Sequence, residues 1–163
     1  MPADDDSEVD AELDRIKVEI ERVVIHFVTE AIANLREETP VDTGHARANW
    51  IPSKGHAFDS VDGEVKVAGR AIKARGLKKG DRYTTASGSA QEEGLSAILT
   101  YKLADGDAYI VNNVPYITGP GSLNDGHSDQ AAPLFIESCI YKAMMVVAQE
   151  YGVEFDTSFE GSG

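Results

Sequence analysis

Apolar residues at Val9, Leu13, Ile16, Ile20, Val23 and Phe27 recur at alternating steps of four and three, and the series continues through Ala31 and Leu35. An α-helix turns that spacing into a stripe, because steps of four and three straddle its period of about 3.6 residues. Val24, Val28 and Ile32 widen the stripe, while Glu12, Asp14, Arg15, Lys17, Glu19, Glu21 and Arg22 are expected to face water. Ser7-Glu-Val-Asp10 supplies an approximate capping box, with acidic residues suited to the positive end of a helix. The predicted helix runs from about Ser7 to Glu38, roughly 45 Å at 1.5 Å per residue. It reads as a core helix lying across a sheet, with its excess length packing on something besides its own domain. Just under three clean heptads fall short of a coiled coil by themselves.

The stop is Thr39-Pro-Val-Asp-Thr-Gly-His-Ala-Arg-Ala-Asn-Trp50. Pro40 cannot continue a helix and pushes Thr39 out of the α region. Asp42, Thr43 and Gly44 form a turn triplet: a carboxylate able to accept backbone amides ahead of it, then a residue tolerant of positive φ. Arg47 follows, and Trp50 is the chain's single tryptophan. Acid and base on either side of the glycine suggest that Asp42 accepts amides within its turn and pairs with Arg47. On that expectation Asp42→Ala costs roughly 1–3 kcal/mol of stability or blocks assembly.

Beyond the stop the pattern becomes strand-like. Ala48 to Ile51 reads as a strand closed by Pro52, and Ser60 to Ala68 as a second. Periodicity is lost over 69–94, which reads as a long exposed loop carrying the basic run Arg70 to Arg82. Leu95 to Leu103 and Ala108 to Asn113 alternate on either side of a turn at Ala104 to Asp107, predicting a hairpin. Val114-Pro-Tyr116 ends it, and a loop of small residues runs from Thr118 to Ser128. A second helix is predicted from Ala132-Pro133, burying Leu134, Phe135, Ile136, Cys139, Ile140, Ala143, Met144, Val147 and Tyr151, and stopping at Gly152. The fold class is α+β: an antiparallel β-sheet with a long N-terminal helix and a C-terminal helix packed mainly on one face. An acidic arm (1–7), one domain (8–152) and a frayed or arm-like tail (153–163) complete the plan.

A net charge of −13 argues against a protein that grips nucleic acid through its phosphates. A single cysteine forms no intrachain disulfide, no apolar run is long enough to span a membrane, and the acidic start lacks a signal-peptide layout. The expectation is a soluble protein made in a cytoplasm. Asp42-Thr43-Gly44 is also the signature triplet of aspartic proteases, but here it follows a helix end rather than an apolar strand, and no glycine-rich flap follows. His26, His45, His56 and His127 form no helical metal pair, although His45 and His56 lie near Asp42 and Asp59 in the chain. Asp105-Gly-Asp107 and Asn124-Asp125-Gly126 read as turns rather than calcium loops. Cys139 falls on a buried helix face. No catalytic, cofactor or metal residues are assigned, and the chain reads as a non-enzymatic interaction domain.

Three segments carry a resemblance. Thr39 to Trp50, with Pro40, Asp42, Thr43, Gly44, Arg47 and Trp50, is similar to the run that follows the long helix in the tail-completion, or head–tail joining (neck), proteins of long-tailed bacteriophages. Ala108-Tyr-Ile-Val-Asn-Asn-Val-Pro-Tyr116, with Asn112, Asn113, Pro115 and Tyr116, resembles that family's Asn-Asn-x-Pro-Tyr strand. Ser128-Asp-Gln-Ala-Ala-Pro133, with Gln130 and Pro133, resembles its Gln-Ala-Pro run before the last helix. The chain departs from the family at Ile117-Thr-Gly-Pro-Gly-Ser122, which lacks a glutamate, and in its longer 69–94 loop. The resemblance implies a structural virion protein without cofactor, forming a homo-oligomeric ring (a hexamer) at the head–tail junction. Its partners would be the connector or head-completion protein and the tail tube or terminator, with DNA passing through unbound. The alternatives are a tail-terminator ring protein and, in a different class, a small hydrolase or ligand-binding domain.

Overall fold

The computed structural model describes residues 5–40, 45–61, 64–67, 70–73, 84–85 and 89–158. The first element is α1, Asp5–Glu38, as the apolar spacing predicts. Its two halves behave differently. Val28, Ala31, Ile32 and Leu35 are buried and Val24 and Phe27 half-buried, whereas every residue from Asp6 to Ile20 is exposed. The expected widened stripe is offset along its length. At about 100° per residue, the 9-13-16-20 series is centred roughly 60° round the helix from the residues that enter the core.

A single turn, α2 (His45–Ala48), follows the junction and leads into β1 (Ile51–Lys54). The strand expected over Ala48 to Ile51 therefore starts later and contains Pro52. Asn49 closes the preceding turn: its backbone N–H donates to Ala46 O (3.2 Å) and its side chain to His45 O (2.9 Å). Proline is tolerated because β1 belongs to a two-stranded sheet and pairs on one side only.

Next come β2 (Glu64–Val67), β3 (Arg70–Lys73) and β4 (Thr84–Thr85), forming a separate antiparallel sheet in the order β3-β2-β4. Part of the expected long loop is thus strand. Val65 sits opposite Ile72, so β3 is specified by its partner rather than by a period of its own.

The larger correction is α3, Ala90–Ile98, whose last turn takes the start of the first arm of the expected hairpin. Ser89 caps it by accepting the Glu92 N–H (3.3 Å), and Glu92 and Glu93 lie in its first turn. Gln91 and Ile98 point inward while Leu99 is exposed, so the alternation around Ile98 does not mark a sheet. A 3-10 turn at Leu103–Asp105 leads to β5 (Ala108–Val111), whose antiparallel partner is β1, with Ile51 opposite Val111 and Lys54 opposite Ala108.

Helix α4 (Phe135–Tyr151) completes the chain. It begins after the predicted Ala132-Pro133 start because Leu134 takes a left-handed conformation (φ 60°) and is exposed, contrary to its expected burial. Gly152 ends α4 with φ 65°, as expected. Phe155 then returns to α1, its ring centroid 5.4 Å from that of Phe27, so the start of the tail is packed rather than frayed.

The molecule is α+β. Helices α1 and α4 pack together, α3 lies on β1, and the core joins Val28, Ile32, Leu35, Trp50, Ile98, Ile117, Phe135 and Cys139. Gly94 lets α3 approach the sheet: a Cβ there would lie 2.1 Å from the Pro52 carbonyl oxygen.

Candidate functional site

The last carbonyls of α1 have no intrahelical donors, and the junction supplies them from outside. Arg47 Nη2 donates to Thr39 O at 2.9 Å and Glu37 O at 3.2 Å, setting a fixed positive charge against the negative end of the helix. Thr39 is fully buried; its N–H donates to Leu35 O at 3.0 Å, and its hydroxyl donates to the same carbonyl. That hydroxyl accepts the buried Trp50 indole N–H at 2.7 Å. The short helix α2 and the turn closed by Asn49 bring both side chains to the end of α1. Pro40 is buried beside them. Asp42, Thr43 and Gly44, and with them the expected Asp42–Arg47 pair, lie outside the described residues.

The second resembling segment closes on the first. Asn112 donates from Nδ2 to Ala46 O (2.8 Å) and accepts the Val114 N–H at Oδ1 (3.2 Å), so one side chain ties α2 to the end of β5. Asn113 donates to Phe58 O (2.8 Å) and Ser60 O (3.1 Å). Pro115 is exposed, and exposed Tyr116 reaches His45 Nδ1 with its hydroxyl at 3.5 Å. Val114 and Ile117, on either side of that pair, are buried and anchor the turn.

The third segment serves a different place. Gln130 is exposed and donates its backbone N–H to Ser128 Oγ (3.2 Å), and Pro133 packs against Gly126 at the entry to α4.

Two residues with central roles escaped sequence reasoning. Gln91, fully buried, donates from Nε2 to Trp50 O (2.9 Å) and Arg47 O (3.2 Å), locking α3 to the joint. A glutamine four residues before Leu95, at helical spacing, was the available signal. Asn124 accepts the Leu134 N–H at its carbonyl (2.8 Å) and the Ile136 N–H at Oδ1 (3.0 Å), and donates to Glu137 (2.9 Å). It caps α4 from ten residues upstream of the helix-leading Leu134, a distance at which no local capping pattern applies.

A chain of charges braces the middle of α1. Glu21 accepts Lys102 Nζ (2.9 Å) and the Leu103 N–H (3.1 Å), and these bonds hold its carboxyl below the usual range. Asp105 accepts Lys54 Nζ (2.8 Å) and the Lys102 N–H (2.8 Å) and is lowered for the same kind of reason. Burial, with Asp107, Asp105 and Glu21 nearby, pushes the Tyr101 phenol up. Burial likewise raises the Cys139 thiol to about 11, which makes it a packing residue.

An open groove of about 630 Å³ runs between α1 and Tyr151, lined by Asp14, Arg15, Val18, Glu19 and Arg22. Among the described residues no three His, Cys, Asp or Glu side chains gather to hold a metal, and no helix is long and apolar enough to cross a membrane. What the arrangement does chemically is hold a helix end: the Arg47 guanidinium, the Thr39 hydroxyl, the Trp50 indole and the side-chain amides of Gln91 and Asn112 converge on the joint between α1, α2, α3 and β5. Comparison of the chain with protein-family models, with characterised proteins and with solved structures finds no match.

Proposed function

We propose that this chain is a structural virion protein of a long-tailed bacteriophage. It would form a homo-oligomeric ring, a hexamer on the family pattern, at the head–tail junction, between the head connector and the tail tube or its terminator. It would assemble in the host cytoplasm and act without catalysis or cofactor. The observation that carries this reading is the bond from Asn112 to Ala46 O. It draws together two segments, far apart in the chain, that separately resemble motifs of the head–tail joining proteins. Residues of one resembling segment thus have a physical reason to accompany those of the other.

The charge suits the task. A wall with net charge −13 per copy repels the phosphates of passing DNA, where a basic wall would hold them. Closed rings need one surface to meet a different surface on the next copy, and the joint fixes the direction in which α1 leaves the body to offer such a surface. Negative-stain electron microscopy of the purified chain tests the reading. Rings with a central opening are expected; particles that remain monomeric at every concentration would contradict it.

A further inference from the structure

From Asp6 to Ile20 no residue of α1 is buried, a stretch of roughly 22 Å at 1.5 Å per residue. Val9, Leu13, Ile16 and Ile20 lie exposed along one side of it, at 54%, 47%, 45% and 42% of their full accessibility. In proteins most helical stability comes from packing an amphipathic face, so an exposed helical stretch with an apolar stripe gains from being covered. The body does not cover it. Val18 and Tyr151 line the groove on the opposite side of α1, and the core takes the face 24-28-31-35.

The stripe's spacing and its flanking charges specify the cover. Leu13 and Ile20 fall at heptad positions a, and Val9, Ile16 and Val23 at d, with Glu12 and Glu19 at g and Asp10 and Lys17 at e. In a parallel, in-register arrangement each Glu12 meets Lys17 of the next copy. One heptad earlier the same pairing sets Asp10 against an acidic position of the sequence, near the helix N-terminus, where acidic residues are favoured. The antiparallel arrangement sets Glu12 against Glu19, which cancels its favourable contact between Asp10 and Lys17. Leucine or isoleucine at a with β-branched residues at d favours more than two strands.

We propose that the free half of α1 is the self-association element of this protein, packing in parallel and in register against α1 of neighbouring copies. The inference deepens the ring reading and rests on it for the number of copies. In a cyclic assembly whose α1 helices run along the axis, every α1 is parallel and level with the next, so the Glu12 edge of one copy meets the Lys17 edge of its neighbour around the ring.

Light scattering on the full chain tests this, with Trp50 fluorescence reporting that the body stays folded. Leu13→Glu/Ile16→Glu is expected to reduce the assembly to single chains. Glu12→Lys and Lys17→Glu should each weaken association several-fold, and the double swap should restore it. A wild-type ring that survives Leu13→Glu/Ile16→Glu overturns the inference and leaves the ring reading standing. A compact trimer or tetramer abolished by that variant supports the inference and overturns the ring. Stronger association of Glu12→Lys alone would identify antiparallel packing and overturn the proposal, as would a wild-type chain that stays single.

Discussion

Thr39, Arg47 and Trp50 hold the end of α1 by complementary means. The Trp50 indole N–H is buried and meets the Thr39 hydroxyl, so Thr39→Val leaves a donor without an acceptor in an apolar site. A loss of about 2 kcal/mol in chemical denaturation is expected, on the scale of an unsatisfied buried polar group. Arg47 spans two carbonyls with one guanidinium nitrogen, and Gln91 fixes the backbone behind it. Arg47→Ala should lower stability by about 2 kcal/mol, and Arg47→Lys should recover part of it, because both bonds leave one nitrogen and an ammonium also carries several donors. At Gly94 the constraint is space. Gly94→Ala places a methyl group on the Pro52 carbonyl and should cost about 3 kcal/mol, readable as a drop in melting temperature. The importance of Arg47 and Trp50 was legible from their place after a helix stop. That of Thr39, Gln91 and Gly94 was not, because each acts through a contact with a residue distant in the chain.

At the scale of elements, legibility followed length. Helix α1 stood out because its spacing persists over many turns, and both its ends fall near the predicted ones. Helix α3 did not, because in a nine-residue helix the inward positions Gln91, Leu95 and Ile98 are too few to outweigh a run that alternates by chance. Its Ser89 cap and first-turn glutamates were the local signal. Strand β5 was recognised but assigned the wrong partner, since pairing with β1 spans the whole middle of the chain. Two element-level outcomes follow from caps and braces. Asn124→Ala removes the acceptor for the Ile136 N–H at the start of α4 and should cost about 1 kcal/mol, checked by urea denaturation.

The brace across Glu21 and Asp105 makes stability depend on pH. Both carboxyls titrate lower in the folded chain than their ordinary values of 4.5 and 3.8, so folding favours their charged forms. Their contribution is present above those ordinary values and is lost as pH falls through the lowered ones. Melting temperature followed from neutral pH into acid should fall across this window, and Glu21→Gln should flatten the fall.

The whole molecule joins a packed body to an unpacked rod. The body uses one part of the α1 stripe, and the rod carries another, rotated part into solvent. From sequence the two parts merged into one wide stripe, because only the position of α4 and of the joint tells which residues meet the core. The surplus length of α1, however, was legible at once, and it pointed to a contact beyond the domain. The strong acidity predicts that the assembled protein gives no mobility shift with duplex DNA at physiological salt. The central claim is that copies of this chain close into a ring of fixed size, and native mass spectrometry of the unmodified protein tests it most directly. A single closed species of one copy number, six on the family pattern, is the predicted result. A mass corresponding to one chain, or an open-ended ladder of sizes, would contradict it.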